Sequence, residues 1–197
     1  LRRDLVKSPP APGIPFLLGL CLFLSPAAPV EVGGQETHPG AKHVYFRALA
    51  DHFEVPVEEV FIVGEWDLAA DEVPVVLFIS SKAGVSPDAL IGLRRQGRSW
   101  TQIALRLGMG IRSFYIALPE QAPLGFLARA QEEFRRRPPT EWDGIDLSDP
   151  EIIGLVNLRV LSQAVGVSPL RVLQSHAEAG TFVAAYARLL GRPSHQR

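Results

Sequence analysis

The sequence predicts an all-α protein, a compact bundle of repeated short helical hairpins. Three observations predict it. Apolar residues recur at helical spacing, one helix-start signature occurs three times, and no period-2 alternation persists long enough for a strand. The chain has 197 residues and 47% hydrophobic content, enough for one domain with a buried core plus appendages. Its formal net charge of −1 gives no global attraction to nucleic acid or anionic lipid. A single cysteine, Cys21, excludes an internal disulfide.

Residues 1–27 have the layout of a secretory signal peptide. Arg2, Arg3 and Lys7 form a basic start, Phe16 to Leu24 an apolar run, and Ser25-Pro26-Ala27 a small-residue site. The run is too short for a bilayer span of about 20 residues. Cleavage is expected after Ala27, which leaves a mature chain without a transmembrane span. Residues 28–40 read as a flexible leader.

The helical domain is expected over residues 41–191, with two hairpins in 41–118. Val44, Phe46, Leu49, Ala50 and Phe53 approximate one helix face. The repeat follows. Val55-Pro56-Val57-Glu58-Glu59-Val60 lines up with Val85-Ser86-Pro87-Asp88-Ala89-Leu90 and with Val167-Ser168-Pro169-Leu170-Arg171-Val172, at separations of 30 and 82 residues. Ser86 and Ser168 are cap residues, and Pro87 and Pro169 occupy a position where a missing N–H costs nothing. Gly97 and Gly180 would each end a first helix in a left-handed cap. Ser99 with Gln102 has the form of a capping box that opens the next helix. The unequal spacing argues against a regular solenoid. In the first copy the second helix is expected over residues 71–82. Val73, Val75, Val76, Leu77, Phe78 and Ile79 make that segment apolar all round, so it should be enclosed.

Residues 119–147 read as an irregular connection containing one helix. The third hairpin is expected in residues 148–191. Ser148-Asp149-Pro150-Glu151 opens a long apolar stripe from Ile152 to Val165, closed by Gly166. Residues 192–197 read as a frayed tail.

The segment from Leu93 to Gly108, LRRQGRSWTQIALRLG, resembles the first two helices of a helix-turn-helix DNA-binding unit. The resemblance extends to Leu118 and implies a recognition helix over residues 111–118. Arg94, Arg95, Arg98, Arg106 and Arg112 would then supply an anion or nucleic-acid surface. Ile111, Phe114, Tyr115, Ile116, Ala117 and Leu118 are poor readers of base edges, because such a helix must present donors and acceptors. The whole mature region is similar to an uncharacterised group of exported bacterial proteins with the same Ser-Trp helix pair, a likeness that implies no activity.

Charge is segregated along the chain. Asp51, Glu54, Glu58, Glu59, Glu65, Asp67, Asp71 and Glu72 lie in a stretch without Lys or Arg, and a basic stretch from Lys82 to Arg112 follows with Asp88 its one acid. This reads as two solvated faces. Asp71 and Glu72 sit at a helix start, which the helix dipole explains. His43 and His52 fall on opposed sides of a helix, a poor metal pair, and no zinc-type Cys/His spacing occurs. There is no phosphate loop and no nucleophile elbow. Trp66, Trp100, Trp142, Tyr115 and Phe182 read as packing residues.

These features lead to an exported, non-enzymatic helical protein with a binding or scaffolding role in the bacterial cell envelope. No cofactor is expected, and the partner would be a protein or another envelope component. The alternative is a cytoplasmic helix-turn-helix protein that binds DNA through residues 85–118.

Overall fold

The computed structural model divides the chain into two units, residues 1–35 and 36–197, and describes residues 39–191, all in the second unit. The expected signal peptide, nearly all of the leader and the tail lie outside the described residues.

The described chain is all-α. In order it contains α1 (Pro39–Phe53), α2 (Val57–Gly64), α3 (Val73–Ala83), α4 (Pro87–Arg95), α5 (Trp100–Arg106), α6 (Ala128–Arg136), α7 (Asp149–Val165), α8 (Pro169–Ala179) and α9 (Phe182–Gly191). Short 3-10 turns at Ala70–Glu72, Ile111–Phe114, Gly125–Leu127 and Pro139–Gly144 link them. No single described helix is long and apolar enough to cross a membrane.

The two central helices are the ones the sequence marks as apolar. In α3 every residue from Val73 to Ile79 is buried, and α7 buries Ile152, Leu155, Val156, Leu158, Val160 and Leu161. They pack on each other, and other helices cover them, α4 on α3 and α8 and α9 on α7. Burial of these side chains contributes about 1.5–3 kcal/mol apiece and is the main source of stability.

Both central helices end in the same corner. Gly84 (φ 67°) and Gly166 (φ 72°) take the left-handed conformation that ends a helix, and each donates its amide to the carbonyl four residues back, Ser80 and Ser162. The chain then bends by 119° into α4 and by 111° into α8. A third corner, between α1 and α2, uses Glu54 at φ 54°, with the Val55 amide donating to the Ala50 carbonyl at 3.1 Å. A side-chain-bearing residue in that conformation carries strain of about 1–2 kcal/mol.

The structure corrects several expectations. The first described helix begins at Pro39, two residues before the expected start of the helical domain. Ser168 caps the Arg171 amide as expected, whereas the Ser86 side chain makes no cap bond. Residues 65–72 between α2 and α3 are too long for a tight hairpin turn and include the Ala70–Glu72 turn. Residues 111–118 form no recognition helix. They contain only the four-residue turn Ile111–Phe114, with Ile111 and Phe114 buried, because apolar side chains at that spacing seek the core.

Candidate binding cleft and the polar contacts that frame it

The described domain presents a cleft of about 420 Å³ where α1, the end of α7, and α9 meet. Val44 and Ala48 of α1 supply apolar lining, with Ala164 of α7. Arg47, Asp51, His52, Gln163 and Tyr186 supply polar groups. Positions 44, 47, 48, 51 and 52 share one helix face by their three- and four-residue spacing, so α1 alone delivers a cation, an anion and an imidazole to one place. Burial, and then the nearby Arg159 charge, holds His52 below the ordinary histidine value. Burial, and then Asp51, pushes the Tyr186 phenol upward. The cleft therefore offers an imidazole and a phenol, both biased towards their neutral forms, beside the Arg47 and Asp51 side chains. That set can hydrogen-bond and pair with a mixed polar ligand or a peptide surface.

The helices that line the cleft are held by a chain of hydrogen bonds, buried at Tyr45–Asn157 and part-buried elsewhere. Asn157 of α7 accepts from the Tyr45 hydroxyl at 2.5 Å and donates to the backbone carbonyls of Asp71 and Ile153, both at 2.9 Å. The Asp71 carboxylate accepts from the Phe182 amide at 2.9 Å and the Val183 amide at 3.1 Å, capping the N-terminus of α9 from a distant part of the chain. Burial raises the Asp71 carboxyl, and those two amides and the His176 charge act in the opposite direction. Burial, and then the Asp71 charge, raises the Tyr45 hydroxyl well above its usual value. His176 stacks on Phe182 at 4.1 Å between centroids, and burial lowers it.

A second polar cluster holds the α4–α5 pair. Arg94 donates to Glu72 at 2.8 Å, to Asp149 at 2.7 Å and to the Arg98 carbonyl at 2.8 Å, and lies over the Trp100 ring. The Trp100 indole donates to Glu72 at 3.0 Å, and its backbone amide donates to Asp149 at 2.7 Å. The expected Ser99–Gln102 capping box is formed. A third cluster clamps the segment after α5: Arg159 donates to the Ser113 and Tyr115 carbonyls, both at 2.6 Å.

The five arginines expected to form one anion surface are divided by the fold. Arg94 is turned inward onto two carboxylates. Arg98 is half-buried, with its Nε lacking a partner. Arg112 is exposed and donates to the Pro139 carbonyl at 2.6 Å. Arg95 and Arg106 are exposed and carry no ion pair among the described residues. The aromatics expected to pack do so: Trp100 and Phe182 are buried, and Trp142 contacts Tyr115 and Phe134. Trp66 is half-buried against the core.

Sequence reasoning did not find the cleft. Its signal was the α1 face that carries Arg47 and Asp51 beside Val44 and Ala48, but the partners Gln163 and Tyr186 lie more than 100 residues away and no local pattern links them. No protein-family model, curated protein or solved structure matches this chain.

Proposed function

We propose that this protein is an exported, non-enzymatic helical module that binds or scaffolds a partner in the bacterial cell envelope. The cleft between α1, α7 and α9 carries the reading, because it combines apolar lining with charges of both signs on a braced frame. Such a surface suits recognition, where a few placed polar groups set orientation and apolar contact adds affinity. Tyr45, Asn157 and Asp71 support it in another way. They tie α1 to α7 and hold the start of α9, the helices that line the cleft, which lowers the ordering cost of binding. The export part of the proposal rests on the basic, apolar, small order of residues 1–27.

The test is expression in a bacterium with a photo-crosslinking residue at position 47, followed by fractionation and intact mass. The expected result is a periplasmic or secreted product that starts near Ala28. It should form discrete adducts from position 47 and none from the exposed position 174 on α8. Robust turnover by the purified protein would overturn the non-enzymatic reading. A cytoplasmic product that retains residues 1–27 and binds duplex DNA at low salt would replace it with DNA binding through residues 85–118.

A further inference from the structure

Part of the charge segregation along the sequence survives folding: an exposed acidic ridge on α2, and two exposed arginines, Arg95 and Arg106, on the α4–α5 pair. On α2, Glu58, Glu59 and Ile62 face outward, and Glu65 continues their line just beyond the helix. Glu58, Ile62 and Glu65, at i, i+4 and i+7, make a single stripe, with Glu59 on its flank three residues before Ile62. Ile62 is 51% exposed at the centre of that acidic stripe. None of the three glutamates has an ion-pair partner among the described residues. On α5, Gln102, Leu105 and Arg106 share the outward face, and Leu105 is 44% exposed. Arg95, at the end of α4, adds a second exposed, unpaired cation, and Asp88 in the first turn of α4 is the one acid on this pair. The two ridges do not rest on the same support. α2 packs on α1 and α3, whereas α5 packs on α4, α7 and the Ile111–Phe114 turn.

The α2 ridge therefore carries glutamates beside the exposed Ile62, and the α4–α5 pair carries Arg106 beside the exposed Leu105, with Arg95 at the end of α4. We propose that the acidic α2 ridge of one copy docks on the basic α4–α5 ridge of a second copy, head to tail. The occupant follows from charge complementarity within one chain. Every copy carries both halves, and neither half can pair with itself because like charges would face each other. A contact between two different patches of identical subunits is heterologous, so it closes into a ring or extends as a chain of copies. The formal net charge of −1 leaves no global repulsion to keep copies apart. Duplex nucleic acid fits the basic ridge less well. The segment after α5 is a buried four-residue turn and gives no third helix to enter a groove.

Sedimentation velocity on the full chain tests the proposal. The expected result is a mass that rises with protein concentration at low salt, with association weakened about ten-fold or more at high salt as the ridges are screened. Two variants then separate head-to-tail docking from other association. Glu58→Gln/Glu59→Gln removes the acidic half, and Arg95→Gln/Arg106→Gln removes the basic half. All four are exposed positions, so folding should be unaffected, and circular dichroism checks this. Each variant alone should remain monomeric. An equimolar mixture should form a species of two chains and nothing larger, because only one intact contact is available. A chain that stays monomeric at low salt overturns the proposal, as does self-association by either variant alone. Tight duplex DNA binding that is lost in Arg95→Gln/Arg106→Gln, with no self-association, assigns the basic ridge to nucleic acid instead.

Discussion

The α4–α5 pair and the α8–α9 pair begin with the same Val-Ser-Pro signature and follow the same glycine corner, yet different chemistry fastens them to the bundle. α4–α5 is held by charge. Arg94 lies between Glu72 and Asp149, with Trp100 hydrogen-bonded to both acids. α8–α9 is held by packing and by one half-buried carboxylate, Asp71, on the first amides of α9. The anchors are reciprocal. The acid at the start of α7, Asp149, caps the helix that ends the α3–α4–α5 run, and the acid before α3, Asp71, caps the helix that ends α7–α8–α9. Asp71 and Glu72 are adjacent, and each serves a different pair. The shared Val-Ser-Pro signature thus opens α4 and α8, and single side chains far away in sequence fix where the helices that follow them dock.

The largest effect expected is from Asp71→Ala. It leaves the Phe182 and Val183 amides without their acceptor, at about 1–3 kcal/mol for each group left unsatisfied. Native-state hydrogen exchange should show protection falling in α9 while α5 is unchanged. Equal loss in both pairs would show that the anchors are not local. Arg94→Ala should cost less, about 1–2 kcal/mol, because the three charged side chains retain some solvent contact, and the lost protection should fall in α5.

The corners sharpen the same comparison at smaller magnitude. Gly166→Ala should destabilise by about 1 kcal/mol, since the left-handed conformation penalises a Cβ. Glu54→Gly should do the reverse, relieving strain at φ 54° for a net gain of up to about 1 kcal/mol in chemical denaturation. No change at Glu54 would mean that its exposed corner relaxes freely.

The smallest effect is pH dependence. Burial depresses His176 and His52, so the unfolded chain binds more protons than the folded one as pH falls through the ordinary histidine range, and stability falls with it. Asp71 acts oppositely. Its raised value means the folded state takes up the proton first, so its contribution grows as pH falls through its own folded value. Thermal melts from pH 7 to pH 5.5 should show the midpoint falling, and His176→Gln should flatten that slope. An unchanged slope would show that His176 is not among the groups responsible.

How much was legible follows from the range of each signal. The capping boxes at Ser99 and Ser148, the stops at Gly166 and Gly180, and the enclosed run of α3 were all readable, since each depends on residues within one or two turns. Residues 111–118 were misleading only as a motif, and their apolar character already opposed a recognition helix. The arginine surface was overestimated, because sequence could not show that Arg94 finds Asp149, 55 residues on. Asn157 gave no signal within its apolar stripe, although it joins α1, α7 and the turn before α3.

The sequence by itself determined the all-α class, the starts of α4, α5, α7 and α8, the glycine stops after α7 and α8 and the identity of the two central helices. Local hydrogen-bond geometry and hydrophobic periodicity decide these, and both are written within a few residues. Only the tertiary structure decided which acid caps which helix, which arginine turns inward, and that α1, α7 and α9 leave a cleft between them. Those outcomes depend on contacts between side chains some 50 to 110 residues apart, where the cost of burying an unpaired polar group selects one partner from several that the sequence allows.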